Sequence, residues 1–151
     1  MSYSELLQSR RIRRHGLAPR EVRQYIHDLW AAYERAMGDA RLEAQSPDGR
    51  FQDAYTAVRI LAEIVMVAEG FRPASGPGQH ETVFEFLARV PTADWQREAN
   101  YFQDCRKKRN RLTYRMAGVV TGSEVETLIR EAEDFARKVR KWLAEHHQEL
   151  A

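Results

Sequence analysis

The 151-residue chain has a single cysteine, Cys105, and no long hydrophobic run. One thiol excludes an internal disulfide and any zinc site built on cysteines. No segment approaches the ~18–20 uninterrupted apolar residues of a membrane span, and the first twenty residues hold no apolar stretch of signal-peptide length. A soluble, cytoplasmic protein is therefore expected. None of the five histidines stand four apart, and no His-Glu-x-x-His pattern occurs, so neither a metal nor a cofactor is expected. Internal repeats are absent, and so is any strand signal as strong as the helical ones.

What is present is segregated charge. The net charge is only +2, from 24 basic and 22 acidic residues. Residues 1–23 nevertheless hold six arginines against two glutamates, residues 105–115 hold six bases and no acid, and residues 124–150 are mainly acidic. Such separation points to an anion-binding surface. The length is that of one domain with its own core, and three Trp, six Tyr and six Phe argue against disorder.

Residues 1–18, with Arg10-Arg11-Ile12-Arg13-Arg14, read as a basic N-terminal arm. It is either a partly ordered lead-in or a segment that tracks a phosphate backbone. Residues 19–147 read as a helical bundle. Pro19 suits a first helical turn, and Val22, Ile26, Leu29, Tyr33, Ala36 and Met37 follow at three-to-four spacing. A second helix, from about Arg50 to Glu69, is apolar over most of its circumference, with Gly70 in place to end it. Residues 71–78 read as a loop, and 80–90 as a short helix stopped by Pro91. A long helix spans about Asp94 to Ala117, and the last is opened by a capping box of Ser123 and Glu126. The expected fold is all-α: an antiparallel up-down four-helix bundle with one extra short helix.

Along the long helix, Trp95, Phe102, Cys105, Leu112 and Met116 fall on one stripe, and Arg109 interrupts it. An arginine on a core-facing line needs an anionic partner, or else the surface is a binding site. The neighbouring cations Arg106, Lys107, Lys108, Arg111 and Arg115 compete for any local carboxylate. They form either a solvated face or a nucleic-acid surface. Asn110 is adjacent, and Tyr114 lies four residues beyond it on the same face. A guanidinium fork, an amide and a hydroxyl are groups that grip a phosphate.

Arg109-Asn110-Arg-Leu-Thr-Tyr114, late in a helix of an all-α bundle and followed by a capped terminal helix, resembles the HEPN family (higher eukaryotes and prokaryotes nucleotide-binding). Phe51-Gln-Asp-Ala-Tyr-Thr-Ala57, Glu69-Gly-Phe-Arg72, Gly78-Gln-His80 and Val139-Arg-Lys-Trp142 fit the same layout, so the likeness runs from about Pro19 to Leu143. The resemblance implies an RNA- or nucleotide-binding homodimer, with two arginine motifs facing each other across a cleft that cuts RNA without a metal. It implies phosphate stabilisation by Arg109 and orientation by Asn110. It also suggests a toxin–antitoxin or defence setting, with a nucleotidyltransferase or other antitoxin as partner.

The family pattern has a histidine after four to six intervening residues. Here those positions are Tyr114, Arg115 and Met116. A tyrosine of pKa about 10 is a poor base near neutral pH unless cations lower it. Three readings follow: an atypical ribonuclease using Arg109, Asn110 and Tyr114, a phosphate-binding protein, or a catalytically inert interaction or regulatory module. His80, after a Gly-Pro-Gly loop, is either a helix-start residue bonded to backbone or a replacement acid/base for the Arg109 site. His146 and His147 are expected to be solvated, and His27 to be a surface or groove residue.

Overall fold

The computed structural model describes residues 3–113 and 119–151. Its elements are α1 (Ser4–Gln8), β1 (Ile12–Arg14), α2 (Pro19–Ala40), α3 (Pro47–Ala68), β2 (Phe71–Pro73), α4 (Gln79–Ala88), α5 (Gln96–Thr113) and α6 (Gly122–His146), with a 3-10 turn at Gln148–Leu150. The fold is the expected all-α one. Helices α2, α3, α5 and α6 alternate in direction and α4 is the extra short helix. Tyr25 of α2 donates to Glu63 of α3 at 3.0 Å, and Arg50 Nε near the start of α3 donates to Ala40 O at the end of α2. Arg97 pairs with Glu131 and Lys108 with Glu124, so α5 and α6 also run in opposite directions.

Helix α3 is central because its sequence is apolar over most of its circumference. Phe51, Ala54, Tyr55, Val58, Leu61, Ile64 and Val65 are all buried. Each large apolar side chain buried this way contributes about 1.5–3 kcal/mol. The helix begins at Pro47, three residues earlier than the periodicity suggests. Ser46 is its N-cap and accepts from Gly49 N, and Pro47 takes the first position, where its missing N–H costs nothing. Gly70 follows the C-cap at φ +97°, a left-handed conformation that glycine adopts without a steric penalty.

Helix α5 turns its apolar stripe onto an aromatic cluster. Ring centroids lie 5.7 Å apart for Phe84–Phe102, 5.3 Å for Phe102–Phe135 and 5.1 Å for Trp95–Phe135. This packing fixes the rotation of α5, and with it the direction of the residues one turn beyond Cys105.

Three local readings change. The basic segment 1–18 is folded onto the bundle: Leu6 and Ile12 are 1% and 2% exposed, and β1 pairs antiparallel with β2. Residues 71–73, read as loop, supply that second strand. Three residues are too few for an alternation signal. The capping box of α6 is Thr121 with Glu124, each side chain accepting from the other's backbone N–H at 3.1 and 3.0 Å. The helix therefore starts two residues before the Ser123 expectation.

Candidate phosphate-binding site

The basic run of α5 is not uniformly unbalanced. Lys108 is paired with Glu124 of α6. Arg106 donates through Nε to Gln103 at 2.8 Å, and its Nη2 lies 3.8 Å from Glu81 of α4. The carboxylates absent from residues 105–115 come from two other helices. Lys107 and Arg111 are exposed, and Asn110 is half-buried. Tyr114 and Arg115 lie outside the described residues, as does Met116. Cys105 is buried, and burial pushes its thiol up to about 12, so it is no nucleophile.

Arg109 is half-buried, with its guanidinium carbon 5.9 Å from the centroid of the Tyr55 ring. A cation over an aromatic face at this distance gains about 0.5–1 kcal/mol. The Tyr55 ring of α3 is one partner that Arg109 finds along the apolar stripe.

The same Tyr55 reaches His80. Its hydroxyl lies 3.0 Å from His80 Nδ1. Burial, and then the positive field of Arg59, Arg109 and Arg106, push His80 down to about 4. Burial holds the Tyr55 phenol up at about 12, against the pull of Arg109, Arg59 and Arg106. Near neutral pH both groups are therefore uncharged. When Tyr55 donates to Nδ1, the imidazole proton sits on Nε2 and that atom is a donor. When Nδ1–H donates to the phenol oxygen, Nε2 keeps its lone pair and is a base.

His80 is the second residue of α4, whose N-cap is Gly78 at φ +87°. Glycine has no side chain to cap the helix, and no side-chain cap bond is made. The first-turn amides are thus left for a ligand, at the positive end of the helix dipole. A cavity of about 380 Å³ opens there, lined by Gly76, Gly78, Gln79, His80, Glu81, Arg106 and Asn110. Two sequence-predicted α5 residues and the predicted histidine therefore share one cavity, and Arg109 stands behind it through Tyr55.

Sequence reasoning missed Tyr55 and Arg59 as members of this cluster. Their spacing of four on an otherwise apolar helix places both on one face and was the available signal. It also missed Glu81 and Glu124, whose roles depend on helix packing. His147, expected to be solvated, donates from Nε2 to Glu69 across 2.6 Å, and Glu69 also accepts from Tyr3 at 2.6 Å. Among the described residues no group of three or more His, Cys, Asp or Glu is placed to hold a metal ion.

A family model for SAV_6107-like HEPN domains matches residues 40–140. The chain belongs to the HEPN family. The match spans α3, α4 and α5 and most of α6, so every residue of the cavity and the Tyr55–Arg109 contact falls within the HEPN domain. Comparison with curated proteins and with solved structures gives no match. Membership ties the chain to nucleotide- or RNA-related function in general. In this HEPN domain a histidine stands at the start of α4, whereas the motif histidine positions counted along the sequence from Arg109 are Tyr114, Arg115 and Met116. No helix of the described residues is long and apolar enough to cross a membrane.

Proposed function

We propose that this HEPN protein binds RNA, holding a backbone phosphate in the cavity between the start of α4 and the basic face of α5. The observation that carries this reading is the meeting, in one cavity, of an uncapped helix N-terminus with Arg106, Asn110 and His80. Amides, a guanidinium, a carboxamide and a neutral imidazole together match the oxygens of a phosphodiester. Arg109, seated on Tyr55, adds positive potential from behind, while Lys107 and Arg111 extend it along α5. The working unit in this reading is a homodimer that brings two such faces together around RNA.

A second reading, metal-independent RNA cleavage as in a toxin or defence protein, is supported by the place of His80 in the same cavity as Arg106 and Asn110. As a base, Nε2 would take the proton of a ribose 2′-hydroxyl. The freed oxygen would attack the adjacent phosphorus, the P–O5′ bond would break, and the imidazolium would return its proton to the leaving oxygen. The products are a 2′,3′-cyclic phosphate and a 5′-hydroxyl, and Arg106 and Arg109 would offset the charge on phosphorus.

Fluorescence anisotropy with labelled single-stranded RNA, combined with a gel assay for cleavage, tests both readings. Salt-sensitive binding weakened in Arg109→Ala and Arg106→Ala supports the binding reading. Cleavage lost in His80→Asn, with binding retained, supports the enzyme, and loss in Tyr114→Phe instead moves the chemistry to that residue. Binding without cleavage leaves a binding module, with a nucleotidyltransferase or antitoxin as the partner to seek. RNA binding absent from the wild type removes both. Sedimentation at several concentrations tests the dimer, which a monomer throughout would rule out.

A further inference from the structure

Arg10 sits where a protein chain usually places glycine. Helix α1 closes with Arg10 N donating to Leu7 O at 3.1 Å and Arg11 N to Leu6 O at 3.0 Å, the double bond of a Schellman stop. The residue between Ser9 and Arg11 must then be left-handed, and Arg10 has φ +59°. It is the one described non-glycine residue at positive φ. For a bulky L-residue this conformation is sterically costly, and glycine would relieve it. A strained residue that persists marks a position where its side chain is wanted.

The Arg10 side chain is exposed and lines a second cavity, of about 210 Å³, with Ser75 and Pro77. Gly78, Gln79 and Glu81 line both this cavity and the one beside Arg106 and Asn110, so the two are neighbours across the turn before α4. The adjacent Arg11 is committed within the protein: it pairs with Glu85 at 2.7 Å and donates to Thr82. Glu81 is drawn toward Arg106, at 3.8 Å. Arg10 makes no ion pair among the described residues and is the cation this second cavity has to offer.

We propose that Arg10 is a second phosphate contact, so that the ligand is a strand of RNA laid across the turn at residues 75–79, with one phosphate at the α4–α5 cavity and another at Arg10. The inference rests on the phosphate site proposed above. It assigns a task to the N-terminal arginines outside the stretch matched by the family model.

The test compares an RNA of about eight nucleotides, within the usual site size for single strands, with a nucleoside monophosphate. Both are titrated against wild type, Arg10→Gly, Arg10→Lys and Arg109→Ala over a salt series. Arg10→Gly is expected to melt at or above the wild-type temperature, because glycine suits the position. It should bind the oligonucleotide about tenfold more weakly, with the salt slope reduced by about 0.7, and bind the monophosphate as wild type does. Arg10→Lys should keep the slope. If Arg10→Gly leaves oligonucleotide affinity and slope unchanged while Arg109→Ala weakens binding, the second contact is wrong and the first site stands. Equal weakening toward both ligands also overturns the second contact. Failure of the wild type to bind either ligand overturns both sites.

Discussion

The phenolic oxygen of Tyr55 lies 3.0 Å from Nδ1 of His80, and the face of the same ring carries the guanidinium of Arg109. One aromatic residue of the central helix thereby couples the first turn of α4 to the basic face of α5. Removing the hydroxyl while keeping the ring separates these two tasks. Tyr55→Phe should lower stability by about 1 kcal/mol, the net worth of one partly buried hydrogen bond, read from urea midpoints. RNA affinity should fall only severalfold, since the seat for Arg109 remains. An unchanged midpoint together with unchanged affinity would remove the coupling role.

His80 makes stability depend on pH in a defined direction. Its folded value, about 4, lies below its ordinary 6.5. Between those values the unfolded chain binds more protons, so stability rises with pH and is lost as pH falls from about 6.5 toward 4. His80→Asn keeps a polar acceptor for Tyr55 and removes the titration. The melting temperature of wild type should therefore drop more steeply than that of His80→Asn between pH 7 and 5. Parallel curves would contradict the buried, arginine-flanked setting of the ring. Saturating sulfate, whose charge is constant over this range, should flatten the wild-type curve by offsetting the arginine field.

Arg109 depends on shape as well as charge. Loss of a charge that acts on the cavity from behind, without direct contact, costs about 0.5–1.5 kcal/mol, or roughly 2- to 12-fold in affinity. Arg109→Ala is expected to weaken RNA binding within that range. Arg109→Lys should recover less than half of the lost free energy, because an ammonium lacks the planar, delocalised fork and its five fixed donors. Full recovery by lysine in the anisotropy assay would reduce the contribution of Arg109 to net charge alone.

The start of α6 offers a test of the fold. Thr121→Ala removes the observed cap and should cost about 1 kcal/mol in chemical denaturation, within the usual 0.5–2. Ser123→Ala, at the position the bare sequence favours, should change stability by less than about 0.5 kcal/mol. The reverse ranking would place the helix start at Ser123 after all.

The bundle was legible in the chain because helix formation is a local matter. Val125, Leu128, Ile129, Ala132 and Phe135 repeat at helical spacing whatever packs against them, and Gly70 announces a left-handed stop. The small β1–β2 pair was not legible, since its register joins residues 12–14 to 71–73 through contacts no local pattern records. The same held for the true cap of α6, where two overlapping Ser/Thr-x-x-Glu patterns compete and packing chooses Thr121.

At the candidate site, the sequence by itself determined that Arg109 and Asn110 stand on a basic face, that Arg109 interrupts an apolar stripe, and that the motif histidine is replaced by Tyr114. Only the tertiary structure decided which charges are compensated and which groups meet. Glu124 neutralises Lys108, 16 residues away along the chain, Glu81 comes within 3.8 Å of Arg106, and Tyr55 is folded beneath Arg109. His80 is carried to the cavity from a separate helix. Periodicity fixes the direction of a side chain relative to its own helix. Partners on other helices are set by how those helices pack, and here the aromatic contacts of Phe102 with Phe84 and Phe135 hold α5 in the rotation that turns its basic face toward α4.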